Sequence, residues 1–196
     1  MRVLVGCEFS GIVRDAFLAA GHDAMSCDLL PTDVPGPHYQ GNVLDVIDYP
    51  WDLAIFHPEC THTAVSGAKH FEAKRRDGRQ QAAVSFFLNL EKRSRHIRRR
   101  AFEQPISIIP NYLKTPHRKQ IIQPWQFGHG ETKAITLFLF GLPELRPTDV
   151  VSGREARVHR MAPSPDRWKE RSRFFPGVAK AMAAQWNDNS NALEAA

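Results

Sequence analysis

Long apolar runs are missing from this 196-residue chain; none approaches the ~20 residues needed to cross a bilayer as a helix. The first residues, Met-Arg-Val-Leu-Val-Gly-Cys, read as a strand rather than a secretory leader, so a cytoplasmic protein without a membrane partner is expected. Cysteine is scarce. Cys7, Cys27 and Cys60 are odd in number and widely spaced, which argues against a disulfide framework and for reduced thiols. The Gly-x-Gly-x-x-Gly fingerprint is absent, because Val13 stands where the second glycine belongs; this disfavours a dinucleotide site. His57, Cys60, His62 and His70 match no common zinc spacing, so no metal is expected. Internal repeats are also lacking.

What is present is basic charge. The net charge is +5, which suits a polyanionic partner, and its distribution is uneven. Lys69, Lys74, Arg75, Arg76 and Arg79 form one group, and Arg93 to Arg100 form a second. Arg154, Arg157, Arg160, Arg167 and Arg171 form a third. With 42% hydrophobic residues, the chain can build one core.

The apolar pattern predicts a strand at the N-terminus and a helix over Gly11–Ala20, with Ile12, Ala16, Phe17 and Ala20 on one face. A second strand is predicted over Asp23–Leu30, a proline-rich loop over Pro31–Gly41, and a third strand over Trp51–Phe56. A helix follows over 78–95 with Ala82, Phe86 and Leu90 inward, then strands at Ile106–Ile109 and Thr132–Phe140. Residues 142–172 read as irregular, Gly177–Trp186 as a closing helix, and 187–196 as a frayed tail. This order, with the continuous apolar run Leu-Ala-Ile-Phe, implies an α/β doubly wound, Rossmann-like sheet in one domain covered by helices on both faces.

Ligands of such sheets bind beyond the carboxyl ends of the strands. Three ends are candidates: Phe9-Ser10-Gly11 at a helix N-terminus, Asp28 for ribose hydroxyls, and Asn42 with Asp45 for an adenine edge. Just past the third strand, Pro58-Glu59-Cys60 puts a thiol in a polar loop, and Glu103 precedes the next predicted strand. A thiol and a carboxyl group converging on one edge are the parts needed for covalent attack on a pyrimidine.

These residues resemble a known family. In order and spacing, Phe9-Ser10-Gly11, Asp28, Pro58-Glu59-Cys60-Thr61, Arg76-Asp77-Gly78, Glu103-Gln104-Pro105, Phe127-Gly128-His129-Gly130-Glu131-Thr132-Lys133 and Pro176-Gly177-Val178 are similar to the motifs of DNA (cytosine-5) methyltransferases, most of all the short phage and prophage type. The resemblance implies a methyltransferase-like domain over 1–186 in a bacterial or phage-infected cell. It implies S-adenosylmethionine as cofactor, held by Phe9, Ser10, Gly11, Asp28, Asn42, Asp45 and Pro58. Cys60, Glu103, Glu131 and Lys133 would be catalytic. DNA would be the partner, as a duplex with a flipped cytosine or single-stranded, contacted by Lys74, Arg75, Arg76, Arg79, Arg157 and Arg160. Residues 61–80 would supply a closing loop. The sequence departs from the family at Glu59, Gln104, Glu131, Lys133 and Ile135, and the acidic Glu59 should raise the thiol pKa. The target-recognition region is reduced to about 142–175, so a homodimer or a partner protein would supply target recognition.

Overall fold

The structure, a computed structural model, describes residues 1–165 and 167–187; most of the expected frayed tail lies outside the described residues. The elements run β1 (Arg2–Gly6), α1 (Ile12–Ala19), β2 (Asp23–Asp28), β3 (His38–Gln40), β4 (Leu53–Phe56), α2 (Phe71–Arg76), α3 (Arg79–Arg93), β5 (Arg99–Gln104), β6 (Arg118–Ile122), β7 (Ile135–Phe140), α4 (Arg157–Arg160), α5 (Arg167–Ser172) and α6 (Pro176–Gln185). The seven strands form one sheet in the order β3-β2-β1-β4-β5-β7-β6. Strands β1 to β5 pair in parallel, while β7 runs antiparallel to both β5 and β6. This is an α/β Rossmann-like architecture, as the strand and helix order predicted.

Alternation along the strands splits the core between two faces. Val3, Val5, Leu53, Ile55, Leu137 and Leu139 pack against Phe17 of α1 and Val178 and Met182 of α6. Leu4, Ala54, Phe56, Phe102 and Phe138 pack against Phe87 and Leu90 of α3. Burying each of these aromatic and aliphatic side chains contributes about 1.5–3 kcal/mol.

Several expectations are corrected. The strand predicted at Ile106–Ile109 is absent; the strand is Arg-Arg-Ala-Phe-Glu-Gln, which ends before Pro105, and Ile106 is exposed. The basic start of β5 hid it from an apolar pattern. Arg99 and Arg100, part of the second basic group expected to suit a polyanionic partner, are buried. The Arg99 guanidinium donates to the Asn187 carbonyl at 3.1 Å, and Arg100 lies 3.4 Å from Glu91 and 4.2 Å above the Phe140 ring. The inward face of α3 carries Val84, Phe87 and Leu90; Ala82 and Phe86 point outward. In α1 the buried positions are Val13, Arg14 and Phe17, and Ala20 is exposed. Strand β3 lies within the expected proline-rich loop, and the edge strand β6 was not anticipated. Residues 142–172 are not wholly irregular, since they hold α4 and α5.

Because β7 runs against its neighbours, its start shares an edge with the ends of β1, β2, β4 and β5. The register pairs Gln104 with Thr136, so Glu131 and Lys133 come to the same edge as Cys60 and Glu103. A cleft of about 290 Å³ lined by Arg98, Arg99, Arg118, Leu139, Gly141, Leu142 and Pro143 opens at the opposite edge, away from these groups.

Candidate active site at the carboxyl edge of the sheet

The loop after β4 is held by side chains from three elements. Gln104, at the end of β5 and buried, donates to the Pro58 carbonyl at 2.6 Å and accepts from the Thr63 hydroxyl at 3.1 Å. Lys74 of α2 donates to the Thr61 carbonyl at 2.6 Å, and Gln80 of α3 to the His62 carbonyl at 3.2 Å. The backbone adds Val65 N–H to Ile106 O at 2.9 Å and Ile108 N–H to Thr63 O at 3.0 Å. Cys60 is therefore presented by a clamped loop. Lys74, expected to contact phosphate, is instead buried and committed to this clamp. Residues 61–80, expected as a closing loop, fold as a 3-10 helix followed by α2 and are tied down by the same bonds.

Burial and the Glu103 carboxylate push the Cys60 thiol up to about 11; Lys133 opposes them, and Glu59 acts in the same direction as Glu103 but more weakly. Glu59 is exposed, so the acidic neighbour chosen from the sequence matters less than burial and Glu103. Glu103 projects from β5 toward His57, whose Nδ1 lies 3.6 Å from Oε2. The His57 ring stands edge-on to Phe174 at 5.0 Å, and its Nε2 is buried without a hydrogen-bond partner. His57 was read in the sequence only as an unsuitable metal ligand. Its place next to Glu103 follows from the pairing of β4 with β5, which sequence spacing does not reveal.

Lys133 donates to the Arg171 carbonyl at 2.9 Å and sits 5.5 Å from the Phe175 ring centroid. Glu131 pairs with Arg157 at 2.6 Å, and its second carboxylate oxygen is buried without a partner. Arg157 is thus occupied by Glu131. Arg76 is paired with Glu72 at 2.8 Å and Arg79 with Asp77 at 2.5 Å, while Arg75 and Arg160 are exposed.

The ends of β1 and β2 supply the second half of the site. Ser10 donates to Glu8, and the same Glu8 oxygen accepts from the Ile12 N–H at 3.2 Å, so Glu8 caps the start of α1. The other Glu8 oxygen is buried and unpartnered. Gly11 has φ +75, and a Cβ there would meet Arg14 at 2.5 Å and Val34 at 2.6 Å. The space that demands glycine is filled by this chain's own Arg14. Asp28 accepts from the Leu30 N–H at 2.9 Å through one oxygen, and burial raises its pKa. Asn42 uses its carbonyl oxygen to cap Leu44 at 3.0 Å, and Asp45 accepts from Tyr39 at 3.2 Å. Cys7 and Cys27 are free thiols raised by burial and by Asp28; Cys27 stands at about 12. The edge thus offers a buried carboxylate after β1, an acidic residue at the end of β2 and an aromatic ring at Phe9, acceptors and a surface that fit an adenosyl group bearing a sulfonium.

Solved structures with the same fold carry methyltransferase names. One is described as a DNA modification methyltransferase encoded within a prophage, from E. coli; its TM-score is 0.55 at 13% identity, over 77% of this chain and 52% of its own. The Entamoeba histolytica methyltransferase EhMeth gives a TM-score of 0.51 at 10% identity, over 77% of this chain and 57% of its own. The chain thus spans about half the length of these structures. No family model and no curated protein sequence matches the chain. At these identities the likeness defines the class of fold, a Rossmann-like methyltransferase fold. Among the described residues, no helix is long and apolar enough to cross a membrane.

Proposed function

We propose that the protein is an S-adenosylmethionine-dependent DNA (cytosine-5) methyltransferase with Cys60 as its nucleophile. The observation that carries this reading is the convergence of Cys60, Glu103 and Lys133 on the carboxyl edge of a methyltransferase fold. Bound at Phe9, Ser10, Gly11, Asp28, Asn42, Asp45 and the Pro58 turn, S-adenosylmethionine supplies an electrophilic methyl group. Cys60 as thiolate forms a bond to ring carbon 6 as the carbon 5–carbon 6 double bond opens, and Glu103, carrying a proton, donates it to the ring nitrogen, so electron density rises at carbon 5. Lys133 favours the thiolate by its charge. After carbon 5 is methylated its proton leaves to a base, and the carbon–sulfur bond breaks to return the Cys60 thiolate.

Access of a duplex cytosine to Cys60 requires base flipping. Exposed Arg75 and Arg160 would contact phosphates, joined by Arg76, Arg79 and Arg157 where DNA displaces their carboxylate partners. The short 142–175 segment favours target recognition by a second copy or a partner protein.

A DNA-binding protein that has lost catalysis is favoured by one observation, the thiol at about 11. A covalent-trap assay separates the two. An oligonucleotide with 5-fluorocytosine cannot lose a proton from carbon 5, so an active Cys60 should remain attached to it when the cofactor is present. A mass shift in the wild type and none in Cys60→Ala supports the enzyme; no adduct in either, with DNA binding intact, supports the binding protein.

A further inference from the structure

Helix α5 is six residues long with no buried residue; Arg167 donates to the Met161 carbonyl at 2.8 Å, and the side chains of Trp168 and Lys169 turn to the cofactor side of the site. The Trp168 ring, 55% exposed, lies 6.0 Å from the Phe9 ring. Lys169 Nζ is 2.6 Å from Asp33 and 5.9 Å from the Phe9 ring centroid. Just beyond the helix, Arg173 lies 3.3 Å from the other Asp33 oxygen. Asp33 is itself fixed to the Phe9 turn, because its N–H donates to the Phe9 carbonyl at 2.9 Å. The Arg171 carbonyl holds Lys133 at 2.9 Å.

A helix this short is not stable by itself. Its position depends on two charge contacts to the largely buried Asp33, the contacts of Trp168 and Lys169 with the Phe9 ring, and single hydrogen bonds at Arg167 and Arg171, with no side chain of the helix buried, so local opening costs little. These contacts lie on Phe9, which the reading above assigns to the cofactor. We infer that residues 167–173 form a strap that closes over the cofactor, with Asp33, Lys169 and Arg173 as its latch and Trp168 as the ring that covers Phe9. The inference rests on the proposed methyltransferase reading and adds to it: the strap residues are positioning residues for an adenosyl cofactor. Opening the strap also releases Lys133 from Arg171, so it couples cofactor occupancy to the catalytic edge.

The test is calorimetric titration of the full chain with S-adenosylhomocysteine at low and high salt, comparing the wild type with Asp33→Asn, the reciprocal double variant Lys169→Ala/Arg173→Ala, and Trp168→Ala. Closing the latch should make wild-type affinity fall with salt. Both latch variants should bind about tenfold more weakly at low salt and lose most of that salt dependence, and Trp168→Ala should also weaken binding. Amide hydrogens of residues 167–173 should exchange more slowly when the ligand is bound to the wild type. If one latch variant lowers the melting midpoint, the other, which changes the opposite side of the same contact, decides. Wild-type binding with unchanged affinity and salt dependence in all variants would overturn the strap and leave the cofactor reading standing. No binding by the folded wild type would overturn both.

Discussion

At Cys60, burial and the Glu103 carboxylate both disfavour the thiolate, and Lys133 favours it. A thiol at about 11 is only ~10⁻⁴ ionised at pH 7, so its alkylation should quicken about tenfold per pH unit until the pH nears 11. Glu103→Gln removes a negative neighbour and should shift the alkylation profile to lower pH; Lys133→Met should shift it higher. Iodoacetamide rates against pH check both, and opposite or null shifts would remove these two side chains from the thiol's surroundings. Gln104 acts differently. Its amide satisfies the Pro58 carbonyl and the Thr63 hydroxyl in a buried place, so Gln104→Ala should cost about 2–3 kcal/mol in denaturant unfolding and loosen the Cys60 loop.

Helix α6 closes the fold over α1, and its start is fixed by the loop before β7. The Gly177 N–H donates to His129 Nε2 at 2.9 Å, and a Cβ at Gly177 would lie 1.9 Å from the Phe127 carbonyl oxygen. Gly177→Ala should therefore destabilise the protein by about 3 kcal/mol, read as a lower unfolding midpoint. His129 must be neutral to accept that bond, and burial lowers its pKa, outweighing Glu131 and Asp149. The unfolded chain takes up the proton first, so stability should be full above the ordinary histidine pKa of about 6.5 and fall as pH drops below it. Melting points across this range, with His129→Asn as the control that flattens the slope, test the claim. Elements whose apolar residues repeat regularly were legible in the sequence: β1, α1, β2, β4, β7, α6 and the span, though not the inward face, of α3. Strand β5 was not, because the Arg99 and Arg100 that open it read as polar, yet both are buried, Arg99 on the Asn187 carbonyl far along the chain and Arg100 on Glu91 of the preceding helix, partners that an apolar pattern does not register. The motifs around Phe9, Cys60, Glu103 and Lys133 were visible as residues in order. The Glu103–His57 contact and the inward turn of Lys74 depend on strand pairing and loop packing, so they were not.

Across the whole molecule, basic side chains divide into those used internally and those facing out. Arg14, Lys74, Arg99 and Arg100 are used internally; of the residues proposed for DNA contact, Arg75 and Arg160 are exposed and are the candidates for phosphate. If DNA binds there, Arg75→Ala and Arg160→Ala should each lower the slope of log affinity against log salt by about 1, with little change in sequence preference. Unchanged slopes in filter or fluorescence titrations would move the DNA to another face. The central claim joins this surface to the thiol at the carboxyl edge, and its direct test is mass spectrometry of 5-methylcytosine in DNA from cells expressing the protein, beside a Cys60→Ala control. 5-Methylcytosine is expected with the wild type and absent with the variant. Its absence from both samples, with both proteins folded, or its presence in both, would contradict a methyltransferase that works through Cys60.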